Sequence, residues 1–153
     1  MSGVTKHIFE HELNDILLMW NTEIKSVAPL LPRKYTKADI IALLKYYYPH
    51  EWQSVESIYK YYCTKDKYLK RRFGKSRYNM SEPKLLIQRV SAFKKIFSES
   101  YKCAHWNAYS EKSCVDSSVK LWEARKCKID RINSKIEIAL SKTQQVTPLF
   151  INQ

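Results

Sequence analysis

Glycine occurs only twice in this 153-residue chain, at Gly3 and Gly74, and the five prolines stand at Pro29, Pro32, Pro49, Pro83 and Pro148. Sheet proteins need tight turns, and tight turns draw on residues that tolerate positive φ, glycine above all. A chain this poor in glycine, with prolines set between apolar-periodic stretches, is expected to be all-α. The pattern predicts about five helices: an N-terminal three-helix part carrying a basic surface, and a C-terminal antiparallel helical hairpin. In residue terms, 1–80 form a helical basic domain, 81–142 a long hairpin packed on it, and 143–153 a tail. Only Tyr46–Tyr48 is also compatible with a strand.

The first helix is expected over Thr5–Val27, with Ile8, Leu13, Ile16, Leu17, Trp20, Ile24 and Val27 on one stripe, ended by Pro29 and Pro32. Thr36 reads as the N-cap of a helix over Lys37–Tyr48, and Pro49 as the break before a third helix ending at Phe73. Gly74 then supplies the C-cap. Two helices around a proline turn resemble the general form of a helix-turn-helix, without the signature of any family. Beyond Pro83, Leu86, Val90, Phe93, Phe97, Tyr101 and Ala104 predict one long helix, and Val115, Val119, Trp122, Ile129, Ile132, Ile136 and Leu140 a second.

Charge is the feature that points to a partner. The formal net charge of +12 is uneven: residues 1–30 carry two lysines against four acids, residues 31–80 carry twelve Lys/Arg against four, and residues 81–153 thirteen against seven. Within Tyr59–Tyr78, Lys60, Lys65, Lys67, Lys70, Arg71, Arg72, Lys75 and Arg77 accompany a single acid, Asp66, and aromatic residues sit between them. Concentrating like charge in this way costs self-repulsion, which a polyanion would relieve. Aromatic rings among the cations offer surfaces on which bases stack. The expected nucleic-acid-binding residues are therefore Lys60, Lys65, Lys67, Tyr68, Lys70, Arg71, Arg72, Phe73, Lys75 and Arg77. A second basic run, Arg125, Lys126 and Lys128 with Arg131 and Lys135, reads first as a solvated helix exterior.

Other constellations carry less. His7-Ile8-Phe9-Glu10-His11 matches the inverted zinc-protease pattern but has no third ligand motif downstream. Cys103, His105, Cys114 and Cys127 could clamp a zinc, yet their spacing fits no paired knuckle, and free thiols are the expectation. No metal, cofactor or catalytic residue is assigned, and the chain is not read as an enzyme. It holds no glycine-rich phosphate loop, nucleophile elbow or carboxylate cluster. The end of the chain resembles the short peptides that dock on DNA sliding clamps, through a glutamine, Val146 and the pair Leu149–Phe150. It departs from them at Thr143 and Pro148, so folding back on the core or on a partner is the competing expectation. Trp20, Val146, Leu149 and Phe150 are the expected partner-binding residues.

These readings combine into a non-catalytic nucleic-acid-binding protein, with DNA favoured over RNA, serving as an accessory subunit of a larger nucleic-acid-processing or -modifying complex. The alternative is an inhibitor or assembly factor whose basic face binds an acidic protein surface. No run approaches the roughly 20 apolar residues of a membrane helix. An intracellular location is expected, nuclear in a eukaryote and cytoplasmic otherwise.

Overall fold

The computed structural model describes the backbone of residues 2–151 and the side chains of residues 4–143. The described residues form seven α-helices and no strand: α1 (Ser2–Val27), α2 (Lys37–Tyr47), α3 (Pro49–Phe73), α4 (Pro83–Leu86), α5 (Ser91–Ile96), α6 (Glu99–Ala108) and α7 (Glu111–Ile151). Short 3-10 turns follow α1 at Ala28–Leu30 and α4 at Ile87–Arg89. The all-α expectation holds, with Tyr46 and Tyr47 in the last turn of α2 rather than in a strand. None of the described helices is long and apolar enough to cross a membrane.

The helix count differs from five because the stretch read as one long helix after Pro83 is three short ones. At Val90 (φ −69°, ψ 132°) and again at Ser98 (φ −71°, ψ 149°) the backbone turns extended. Neither break involves glycine or proline. At the first, the Ala92 N–H donates to Asn21 Oδ1 of α1 at 2.9 Å. At the second, Ser98 Oγ accepts from the Tyr101 N–H at 3.4 Å and caps α6. With the breaks, Leu86, Ile87, Val90, Ala92, Phe93 and Ile96 are all buried, a set that spreads over more than half the circumference of a straight helix.

The chain divides into two compact units, Met1–Cys114 and Val115–Gln153. In the first, α1 is the central element, in contact with α2, with α5 and with both 3-10 turns. Its inward row is Phe9, Ile16, Trp20, Ile24 and Val27. Ile8, expected on this row, is exposed, and its neighbour Phe9 takes the inward place against Tyr62 and Tyr78. Trp20 requires a correction. Expected as apolar surface for a partner, it is instead 0 % exposed and packs on Trp52 with ring centroids 5.5 Å apart. The stripe it belongs to is covered by the chain's own helices, so Trp20 is a core residue.

The second unit is residues 115–151 of α7, which runs through the stretch read as a tail. Its apolar side chains Val115, Val119, Trp122, Ile129, Ile132, Ile136 and Leu140 are all exposed. The expected partner residues Val146, Leu149 and Phe150 lie outside the described side chains.

Candidate nucleic-acid interface

Helix α3 positions the basic block. Tyr48 alone separates it from α2: the Tyr48 N–H closes on Leu44 O at 2.8 Å, and the Trp52 N–H on Tyr48 O at 3.0 Å. This is shorter than the turn of about three to four residues in a helix-turn-helix. Upstream, α2 starts where expected, with Asp39 Oδ2 reaching back to the Thr36 N–H at 2.7 Å.

Three rows of side chains run along the basic end of α3. The inward row is Tyr62, Asp66 and Leu69, with Tyr62 buried and donating its hydroxyl to Glu12 Oε1 of α1 at 2.7 Å. Burial, followed by this carboxylate, pushes the Tyr62 phenol above its ordinary pKa. Facing outward, one row is Lys60, Thr64, Lys67 and Arg71, and the adjoining row is Tyr61, Lys65, Tyr68 and Arg72, all exposed. The second row is internally linked. Lys65 Nζ lies 4.8 Å from the Tyr61 ring centroid, and Arg72 Nη1 donates to the Tyr68 hydroxyl at 2.9 Å. Hydrogen bonding to Tyr61 raises the Lys65 pKa above its ordinary value, so the cation is held more firmly.

Phe73 continues the inward row by spacing, yet it is 66 % exposed, with the Arg72 guanidinium 5.6 Å from its ring centroid. Gly74 ends the helix at φ 77°, its N–H closing on Lys70 O, as the sequence predicts for a left-handed C-cap.

Beyond the cap, Asp66 shapes the loop that leaves the helix. Its carboxylate accepts three backbone N–H groups from that loop: Arg77 and Tyr78 at 2.9 Å through Oδ1, and Asn79 at 2.7 Å through Oδ2. Asn79 adopts φ 48°, a left-handed conformation that asparagine tolerates better than most residues. Partial desolvation opposes ionisation, but the donors from Tyr78, Arg77 and Asn79 together with the Arg77 charge outweigh it, and the Asp66 pKa lies below its ordinary value. The loop is thereby folded back along α3. Arg77 reaches Thr5 Oγ1 of α1 at 3.3 Å, and Lys65, Tyr68 and Arg77 line one open hollow of about 330 Å³.

All ten residues expected to contact nucleic acid are exposed: Lys60, Lys65, Lys67, Tyr68, Lys70, Arg71, Arg72, Phe73, Lys75 and Arg77. Such an arrangement can neutralise phosphates and stack or wedge aromatic rings.

Sequence reasoning missed a second cluster of cations and rings. Where the 31–36 loop meets α6, Arg33 Cζ lies 5.3 Å from the Trp106 ring centroid and 5.6 Å from that of Tyr109, and Lys34 Nζ lies 5.4 Å from Trp106. Arg33 also donates to Tyr109 O at 3.1 Å. His105 fixes this junction, its Nε2 lying 3.1 Å from Leu31 O and 3.0 Å from Pro32 O. Cys114 Sγ donates to Leu30 O at 3.6 Å. His105 and Cys114 thus hold the same turn through its carbonyls. More than 70 residues separate the partners, so no local signal could have revealed the cluster. Among the described residues, no three His, Cys, Asp or Glu side chains gather in a way that could hold a metal ion. His7 and His11 are both exposed, and His11 Nδ1 lies 3.3 Å from Asp15 Oδ2.

The chain matches no family model, no curated protein and no solved structure.

Proposed function

We infer that this protein is a non-catalytic nucleic-acid-binding protein, with DNA favoured over RNA, acting as an accessory subunit of a nucleic-acid-processing complex. The observation that carries the reading is the asymmetry of the basic block. Its eight cations are exposed beside three exposed rings, Tyr61, Tyr68 and Phe73, while its one acid is turned onto backbone N–H groups. One carboxylate, interacting with the Arg77 charge, cannot offset eight cations, and a polyanion would supply the rest. On this reading the Lys60–Arg71 row and the Lys65/Arg72/Arg77 group neutralise phosphates. Tyr68 and Phe73 contact bases or sugars.

The test is fluorescence anisotropy with labelled duplex DNA, single-stranded DNA and RNA over a salt series. Wild type is compared with Lys70→Glu/Arg71→Glu/Arg72→Glu, whose fold is checked by circular dichroism. Wild-type affinity should fall linearly with log salt, and the variant slope should be shallower by about 0.9 for each duplex phosphate no longer neutralised. Absence of binding to all three probes at low salt would overturn the reading in favour of an acidic protein partner.

A further inference from the structure

We propose that α7 pairs with α7 of a second copy of this chain as a parallel two-stranded coiled coil. The first observation is the period. Val115, Trp122, Ile129 and Ile136 recur at strict intervals of seven, and they are 61 %, 46 %, 48 % and 51 % exposed. An apolar line with this interval drifts around a straight helix of 3.6 residues per turn. It stays in register only when two helices wrap around one another left-handedly. The companion line four residues on is Val119, Lys126, Asn133 and Leu140. The two lines together make the alternating seam of a two-stranded coil, extending over almost four heptads.

The charges select the arrangement. Each residue of the first line is followed by an acid: Asp116, Glu123, Asp130 and Glu137. After Glu111 these are the only acids of α7. They form one edge of the seam, and the other edge is Ser118, Arg125, Ile132 and Ala139. Two antiparallel copies would set the acidic edge against itself along its whole length. Two parallel copies set it against the other edge, where Arg125 meets Asp130 of the second copy twice by symmetry. Across the two edges the one like-charge pair is Glu111 with Asp116 of the second copy, at the end of the helix.

The polar seam positions fit the same arrangement. Asn133 meets Asn133 of the second copy in the parallel in-register pair, where the two amides satisfy one another. A single asparagine at such a position is a known device for fixing register and strand number. Lys126 meets Lys126 of the second copy in the same way, a like-charge layer that Glu123, three residues before it, and Asp130, four after it, are spaced to offset from its own helix. Lys120, Lys128, Arg131, Lys135 and Lys142 all lie away from the seam, which leaves the basic run of α7 outward.

The experiment is sedimentation equilibrium on the full chain, freed of nucleic acid in high salt, over a range of protein concentration. The expected mass is twice the 18.2 kDa of one chain. Ile129→Asp/Ile136→Asp should halve it; made in a Trp122→Phe chain, so that no seam tryptophan contributes, the pair should leave the near-ultraviolet circular dichroism of the Trp20–Trp52 core unchanged. For orientation, Leu140→Cys is placed in a chain whose Cys63, Cys103, Cys114 and Cys127 are serine. Oxidation should link parallel copies through this position and leave antiparallel copies unlinked. A single-chain mass at every concentration would overturn the pairing. A dimer that survives the double substitution would overturn the seam, and a dimer that resists cross-linking would overturn the parallel arrangement.

Discussion

Helices α1 and α7 carry the same signal in sequence, an apolar stripe along a long helix, and meet opposite fates. In α1 the stripe is closed over by α2, α5 and the 3-10 turns, and Trp20, Ile24 and Val27 are sealed from water. In α7 every member of the stripe keeps about half its surface or more. Periodicity reports that a helix has an apolar face, and it is silent on what covers that face. The two stripes nevertheless differ in a readable way. In α1, Ile16, Trp20, Ile24 and Val27 follow steps of four, four and three, which track a straight helix packed in a core. In α7 the leading line keeps steps of seven, flanked by an acid at each step.

The comparison breaks most severely at Trp20. Trp20→Ala should destabilise the Met1–Cys114 unit by ~3–5 kcal/mol, the usual range for removing a large buried aromatic side chain. Urea unfolding followed by circular dichroism measures it, and a loss under ~1 kcal/mol would mean that the stripe of α1 is no more essential than that of α7.

A smaller effect is expected where the basic loop is tied to α3. Asp66→Ala removes the acceptor of three N–H groups that water can partly replace, costing about 1–2 kcal/mol. The pH dependence follows from the sign of the shift. The folded-state pKa lies below the ordinary value of 3.8, so the carboxylate stabilises the fold above that value. Its contribution declines as pH falls below the ordinary value and is gone once pH has passed the lower folded-state pKa. Wild type should lose stability along this acid limb, and the difference from Asp66→Ala should shrink with it.

The smallest effect belongs to α7. Ile129→Ala should leave the unfolding of the Met1–Cys114 unit within ~0.5 kcal/mol of wild type, as for a surface substitution. A larger change in that unit, at a concentration where single chains dominate, would show that the two stripes are not separate cases.

Much of the N-terminal architecture was legible because its punctuation is local. Pro29 and Pro32, the Thr36 cap, Pro49 and the left-handed Gly74 each act within a few residues of where they stand. The division at Val90 was not legible, because it is bound up with inward packing and with the hydrogen bond that the Ala92 N–H gives to Asn21, 71 residues away; the one at Ser98 has a local cap that the apolar periodicity masked. The exchange of Ile8 for Phe9 has the same character: one step around the helix decides which side chain meets Tyr62 and Tyr78. At the candidate interface, composition identified the cations and rings. The role of Asp66 lay beyond it, since an acid among lysines reads as a counter-charge until the fold brings Arg77, Tyr78 and Asn79 to it.

On the proposed function, that carboxylate has a consequence for binding. A basic loop free in solution must be immobilised when it meets its target, and the lost freedom is subtracted from the affinity. Here residues 77–79 are latched to α3 by the folding reaction itself. Arg77 thus meets any anion already in place, so its encounter is closer to rigid docking than to disorder resolved on contact. Releasing the latch should weaken that binding even where every positive charge is retained.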